Sequence, residues 1–217
     1  MKTDAQRQDG VMAELEWEPS VHAAQIGVEA QGGVVTLAGE VDSYAEKCSA
    51  ECAAQRVSGV KALAVEMTVK IPGYGKPTDA DIARSVQTAL TSTTIVPADS
   101  VKVMVEHGWV TLSGEVDWKY KKQTASEVVR YLAGVTGVSD QIDVKPGVVA
   151  GDVKSDIEAA LKRRARTDAR DIVVDVHGAD VTLTGTVHSW SERELATDSA
   201  WGAPGVRNVV DKMTLVD

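Results

Sequence analysis

The stretch GVVTLAGEV at 33–41 returns twice in this chain, as GWVTLSGEV at 108–116 and as ADVTLTGTV at 179–187. Self-similarity at a regular spacing indicates a repeat architecture. In the second copy, apolar Val110 and Leu112 alternate with Thr111 and Ser113, which is typical of a strand with one buried face. The sequence therefore predicts three tandem copies of one small domain.

Two glycines hold the same places in every copy. One lies inside the repeated strand and the other follows 20 residues later, as from 39 to 59, next to a valine: Gly39, Gly59, Gly114, Gly134, Gly185 and Gly205. A glycine within a strand usually marks a bulge or close packing. We interpret all six as structural glycines in preference to a site of ligand approach.

The segments around each repeated strand predict the rest of the unit. A helix with apolar residues four apart, such as Ile82, Val86 and Leu90, comes first. An alternating hairpin follows, then a second amphipathic helix and, after a Gly-Val turn, a last strand. The predicted order is α-β-β-α-β, and a right-handed crossover places both helices on one face of a mixed three-stranded sheet.

The fold class is therefore α+β, with three two-layer sandwiches in tandem. The Pro/Gly-rich stretches IPGYGKP (71–77) and KPGVVAG (145–151) read as linkers. They give the domain boundaries 1–72, 76–146 and 150–217. In the first copy the helical stripe is Arg7, Val11 and Leu15, with Gly10 inside, and we expect this helix to be the least stable.

Composition narrows the class of function. The formal net charge of -9 argues against binding to nucleic acid, which needs a basic surface. Residues 1–75 hold 6 basic and 11 acidic side chains, so the first third is the most acidic. No apolar run is long enough to span a bilayer, so we expect no transmembrane segment. The polar opening MKTDAQRQDG lacks an apolar h-region, and the location expected on this ground is the cytoplasm.

The element order, the strand glycine and the Gly-Val turn together resemble the BON domain, named for bacterial osmotic-stress and nodulation proteins. All three copies carry the resemblance, which covers nearly the whole chain. It implies a binding module that contacts phospholipid and protects the cell envelope under osmotic stress. It also implies the periplasm as the alternative location.

Two basic segments are the candidate surfaces for binding a lipid or a partner. Lysines and aromatic rings alternate in the first: Trp118, Lys119, Tyr120, Lys121 and Lys122. The second ends the first helix of the third copy: Lys162, Arg163, Arg164 and Arg166. Such residues suit anionic headgroups, with the aromatic rings at the interface. The alternative is an ordinary solvated surface. Trp201 aligns with Arg130, so we expect it to be an exposed contact residue.

The remaining chemically active residues give little support to catalysis. Cys48 and Cys52 align with polar positions of the second helix, which favours a domain contact or two thiols without a role over an incomplete metal site. His107 and His177 adjoin hairpin turns, and His22 and His188 have no equivalents in the other copies. We therefore expect no catalytic residues, no metal site, no cofactor and no enzyme activity.

The sequence thus favours a non-catalytic binding protein, associated with the envelope or with osmotic stress, whose partner is an anionic phospholipid or an envelope protein. Three linked domains can bind more tightly than any one of them. The alternative is a cytoplasmic protein-interaction scaffold, suggested by the acidic composition and the polar N-terminal segment.

Overall fold

A computed structural model of the chain describes residues 2–71, 76–97, 99–145, 153–164 and 172–216, with only the main chain described for 161–164. Within these ranges the predicted α-β-β-α-β order is confirmed in all three repeats. The first repeat consists of α1 (Asp4–Trp17), β1 (Ile26–Gln31), β2 (Val34–Val41), α2 (Tyr44–Arg56) and β3 (Ala62–Val69). The second consists of α3 (Asp79–Ser92), β4 (Val101–Glu106), β5 (Trp109–Val116), α4 (Lys119–Arg130) and β6 (Gly137–Val144). The third consists of α5 (Val153–Arg164), β7 (Ile172–His177), β8 (Asp180–Val187), α6 (Trp190–Trp201) and β9 (Asn208–Leu215).

Each repeat has its own three-stranded sheet, and the repeated strand lies at its centre. In the first repeat β2 pairs antiparallel with β1 and parallel with β3. In the third, β8 pairs in the same two ways with β7 and β9. The central strand pairs with a strand on each side, so its residues are the most constrained. This explains why its sequence is the most similar among the copies. The predicted mixed sheet is confirmed.

Both helices of a repeat cover the same face of its sheet. In the first repeat the core joins Val11 and Leu15 of α1 to Leu37 of β2 and to Ala50 and Ala53 of α2. In the third it joins residues of the corresponding elements: Val153, Ile157, Val181, Leu183, Ala196, Ala200 and Met213. Small alanines on the second helix let it approach the sheet closely. Each buried aliphatic side chain contributes about 1.5–3 kcal/mol.

The chain divides into two compact units. One comprises Met1–Val116 and Tyr120–Asp143, and therefore holds most of the first two repeats. The other comprises Asp117–Lys119 and Val144–Asp217, and holds the third.

An aspartate at the start of the first helix ties that helix to the hairpin turn of its own repeat. The Asp79 carboxylate accepts hydrogen bonds from the N–H groups of His107 and Gly108, both at 2.9 Å. Asp4 accepts in the same way from Gly32 at 2.8 Å and Gly33 at 3.2 Å. These hydrogen bonds, led by the one from Gly108 or Gly32, lower the pKa of each carboxyl below its ordinary value. The sequence analysis missed this contact because it links residues 28 or 29 apart.

Helix α1 differs from its counterpart α3 at its first inward position. Arg7 lies there and is buried, with Nη1 donating to Asp4 Oδ1 at 2.8 Å. Its Nε has no hydrogen-bond partner among the described residues. In the second repeat the same place holds Ile82, an ordinary core residue. A guanidinium with an unsatisfied nitrogen is a costly substitute for an aliphatic side chain.

Candidate binding surfaces

The aromatic and basic segment proposed from the sequence runs along the start of α4. Trp118 is 37% exposed and Tyr120 is 52% exposed, so both rings present apolar surface to solvent. Lys121 is partly buried. The segment therefore offers two accessible rings at the N-terminal end of a helix.

Two lysines of this segment are already engaged. Lys122 Nζ donates to the carbonyl oxygen of Ile142 at 2.7 Å and lies 3.6 Å from Asp140 Oδ1. Lys119 Nζ is 3.2 Å from Asp198 Oδ1 and 5.1 Å from the centre of the Trp201 ring. Each of these ammonium groups has a carboxylate nearby. Their charges are therefore less available to an external anion than the sequence suggests.

Trp201 lies against the core of the third repeat and is only partly exposed. The expectation of a solvent-exposed contact ring is wrong, because one part of the indole packs on core side chains and Lys119 lies over the ring.

The second basic segment cannot be placed in the same detail. The side chains of Lys162, Arg163 and Arg164, and the whole of Arg166, lie outside the described residues.

The strand glycines occupy a backbone conformation that side chains rarely adopt. Gly39 has φ 146°, Gly114 has φ 138° and Gly185 has φ 119°. A Cβ on Gly114 would collide with the carbonyl oxygen of Ser100, and one on Gly39 with that of Gln25. The later glycines also face neighbours, since a Cβ on Gly134 would meet the Ile82 side chain at 2.8 Å. These contacts lie within the repeat itself, which is the geometry of a packing glycine.

The two cysteines have different environments. Cys52 is exposed, whereas Cys48 is only 8% exposed, although both align with polar positions of the second helix. Around Cys48, the outer face of α2 meets the second repeat within the first unit. Tyr44 interacts with the main chain of Val138, and Arg130 lies near Cys48 and Glu51. Cys48 therefore lies at a contact between repeats.

Burial at this contact affects three titratable groups on α2. It raises the pKa of Tyr44 to about 12, with the nearby Cys48 adding to the effect. It also raises the pKa values of the Cys48 thiol and the Glu51 carboxyl. Each group is favoured in its neutral form because desolvation penalises the charged one.

Two of the histidines have a carboxylate neighbour that the sequence analysis did not anticipate. His22 Nδ1 lies 2.8 Å from Glu46 Oε1, and with Asp42 these residues offer ligand atoms within 4.8 Å of one another. His188 Nδ1 similarly lies 3.5 Å from Glu192. The first group escaped notice because its members are up to 24 residues apart and the repeats do not share them. His107 and His177 are exposed beside the hairpin turns, as expected.

None of the helices in the described ranges has the length and apolar character needed to cross a membrane.

Comparison with known proteins identifies the repeated unit. The family model described as the BON domain matches residues 3–71, 78–146 and 150–217. Osmotically-inducible protein Y of Escherichia coli (strain K12) is 32% identical over 139 residues, which cover 60% of this chain and 69% of that protein.

Two solved structures align along most of the chain but share little with it. The C-terminal domain of CdsD, the structural protein of the type III secretion system of Chlamydia trachomatis, gives a TM-score of 0.27 at 13% identity over 96% of both chains. The PrgH periplasmic domain gives 0.22 at 14% identity, over 89% of this chain and 96% of that one. TM-scores this low do not indicate a common arrangement. The family model and the curated relative do agree, and the chain belongs to the BON domain family, with three copies in tandem.

Proposed function

We propose that this chain is a non-catalytic binding protein of the osmotic-stress response that engages anionic phospholipid at the cell envelope. The observation that carries the proposal is the pair of exposed rings, Trp118 and Tyr120, on a helix start rich in lysine in the second of three BON domains. Aromatic rings of this kind partition into the interfacial layer of a bilayer, while cations attract anionic headgroups.

The proposal gives the three domains a common purpose. Single weak contacts with a membrane become effective when several modules share one chain, because the second contact forms at a high local concentration. We propose the boundaries 1–72, 76–146 and 150–217 for these modules, with the six glycines as their structural positions. We propose the periplasm as the location, because membership of the BON domain family implies it.

Vesicle co-sedimentation tests the lipid proposal. The full chain is expected to bind vesicles of phosphatidylglycerol and phosphatidylethanolamine, and to bind phosphatidylcholine vesicles less. Replacing both rings, Trp118→Ala with Tyr120→Ala, should lower partitioning about tenfold or more, since each buried ring is worth about 1.5–3 kcal/mol. Tyr131→Ala is the matched control, because Tyr131 is an exposed ring beyond the other end of α4.

A second variant tests the basic residues of the third repeat. In this variant glutamine replaces the four basic residues Lys162, Arg163, Arg164 and Arg166. The loss of positive charge should weaken binding to the anionic vesicles, by about 1 kcal/mol for each cation that lies near the membrane surface. If the unaltered chain binds no anionic vesicle, the lipid proposal fails.

The net charge of -9 supports a second candidate, a protein-interaction scaffold in the cytoplasm. Fractionation of cells that make the native protein distinguishes the two. Recovery with the cytoplasm, together with a stoichiometric soluble partner and no vesicle binding, would favour the scaffold.

A further inference from the structure

Three side chains with metal-binding chemistry converge in the first repeat. His22 precedes the short 3-10 turn at Ala23–Gln25, Asp42 directly follows β2, and Glu46 lies in the first turn of α2. One ligand atom from each lies within 4.8 Å of the other two. Three separate segments of the fold therefore bring one imidazole and two carboxylates together.

Glu46 is held rigidly in this group. It is 5% exposed, and its two oxygens accept hydrogen bonds from the N–H groups of His22 at 2.7 Å and Asp42 at 2.9 Å. The same hydrogen bonds fix the main chain of the two residues that supply the other donors. Among the described residues, Glu46 Oε2 accepts only the Asp42 N–H, which leaves it a lone pair for a ligand. Hydrogen-bonded carboxylates of this kind are usual around bound metals.

The charge of the group favours a cation. Two carboxylates lie close together, one of them buried, and the Asp42 carboxylate forms no hydrogen bond or ion pair with the described residues. The His22 and Asp42 side chains are exposed, so the open side admits an ion and its water. Imidazole with carboxylates suits Zn²⁺, whereas Mg²⁺ and Ca²⁺ prefer oxygen ligands alone.

The other repeats provide an internal comparison. The position of Glu46 is taken by Lys121 in the second repeat, which removes the central ligand. The third repeat has His188 and Glu192 at the positions of Asp42 and Glu46, with the ring nitrogen 3.5 Å from the carboxylate. Among the described residues, the complete set of three occurs only in the first repeat.

We propose that His22, Asp42 and Glu46 form a binding site for a divalent cation of the Zn²⁺ type, with water completing its coordination. The site is independent of lipid binding and belongs to the first repeat.

Calorimetric titration of the full chain with Zn²⁺ tests the site. The exposed thiol is first removed by Cys52→Ser, so that it cannot compete for the metal. One equivalent of Zn²⁺ is expected to bind, and excess Mg²⁺ should not displace it. His22→Ala and Asp42→Asn should each weaken binding about tenfold or more, comparable to the loss that follows removal of even an outer-shell partner.

His188→Ala is the matched control, because it removes a histidine that also contacts a helix-start glutamate but has no third ligand among the described residues. It should leave the affinity unchanged. Circular dichroism checks that each variant is folded. We expect both to fold, because the His22 and Asp42 side chains are exposed. Absence of Zn²⁺ binding, unchanged affinity in His22→Ala, or an equal loss in His188→Ala would overturn the site.

Discussion

At the scale of single residues, a strand glycine and a turn glycine illustrate two different reasons for excluding a side chain. Gly114 combines a φ of 138° with a carbonyl oxygen directly where a Cβ would lie. Gly178 also has a positive φ, 64°, but no atom lies within 4 Å of its Cβ position. The first glycine is required by both conformation and space, and the second by conformation alone.

Gly114→Ala is therefore expected to destabilise the protein by roughly 3 kcal/mol or more, because the Ser100 carbonyl must move. Gly178→Ala should cost only about 1–2 kcal/mol, the usual penalty for a left-handed alanine. Urea unfolding followed by circular dichroism measures both. Equal losses would show that the collision at Gly114 is relieved without cost.

The contact of Asp79 with its hairpin turn predicts a dependence on pH. The pKa of this carboxyl is lowered in the folded chain, so its contribution to stability is fully present above the ordinary value of 3.8. The contribution is lost as the pH falls through the lower, folded value. Asp79→Asn should reduce the melting temperature at pH 7, and this difference should shrink below pH 3.8.

Thermal melts of both proteins between pH 2 and 7, with Asp156→Asn as an exposed first-turn control, check this expectation. A difference between Asp79→Asn and the unaltered chain that stays constant down to pH 2 would count against it.

At the scale of the elements, helix α2 of the first repeat packs through two different faces. The alanines of α2 pack on its own sheet, while Tyr44, Cys48 and Glu51 meet the second repeat. The inner face follows from the periodicity of the sequence. The contact on the outer face follows only in part, because the alignment leaves a domain contact open without saying which neighbour forms it.

The two thiols on α2 should react at very different rates with a maleimide. Cys52 is exposed and should be labelled at once, whereas Cys48 is buried and its raised pKa disfavours the reactive thiolate. Mass spectrometry of the folded chain should find one label, and two after denaturation. Rapid double labelling of the folded chain would mean that the contact between the repeats opens readily.

The two N-terminal helices α1 and α3 should differ in stability. Gly10 lies in the middle of α1, which costs about 1 kcal/mol relative to alanine, and the Nε of buried Arg7 has no hydrogen-bond partner in the part of the chain that the structure describes. Hydrogen exchange monitored by mass spectrometry should be about fivefold faster in α1 than in α3. Slower exchange in α1 would show that its ion pairs, such as Glu14 with Arg56 at 2.8 Å, outweigh these defects.

At the scale of the whole molecule, the first two repeats belong to one compact unit and the third to another. Repeat proteins gain stability from the interfaces between neighbours as well as from each unit. Because α2 contacts the second repeat, a loss of packing in the second repeat should also lower the stability of the first.

Ile142→Ala tests this coupling. Ile142 is buried in β6, and its truncation should cost about 2–5 kcal/mol. Hydrogen exchange should accelerate in the strands of both the first and the second repeat, while the third repeat stays unchanged. Acceleration confined to the second repeat would show that the repeats unfold independently.

Most of the fold could be predicted from the sequence, and less of the candidate sites. The recurrence of the central strand gave the number of repeats, and its alternation gave the buried face. The aspartate contact to the turn and the group around His22 were missed, and for Cys48 the sequence left a domain contact and a thiol without a role both open. Each depends on residues far apart in the chain, and neither Cys48 nor His22 recurs as the same residue type at the aligned positions of the other repeats. The partners of these residues are identified only by the three-dimensional structure.

The lack of space for a Cβ at Gly39 and Gly114 also has a genetic consequence. Any single-nucleotide missense change in a glycine codon adds a side chain, so no conservative replacement is open at these positions. After duplication of the gene, the rest of each copy could drift, as the different outer faces show, while these codons could not. A saturation mutagenesis library should therefore be nearly empty at both places among variants that retain the fold.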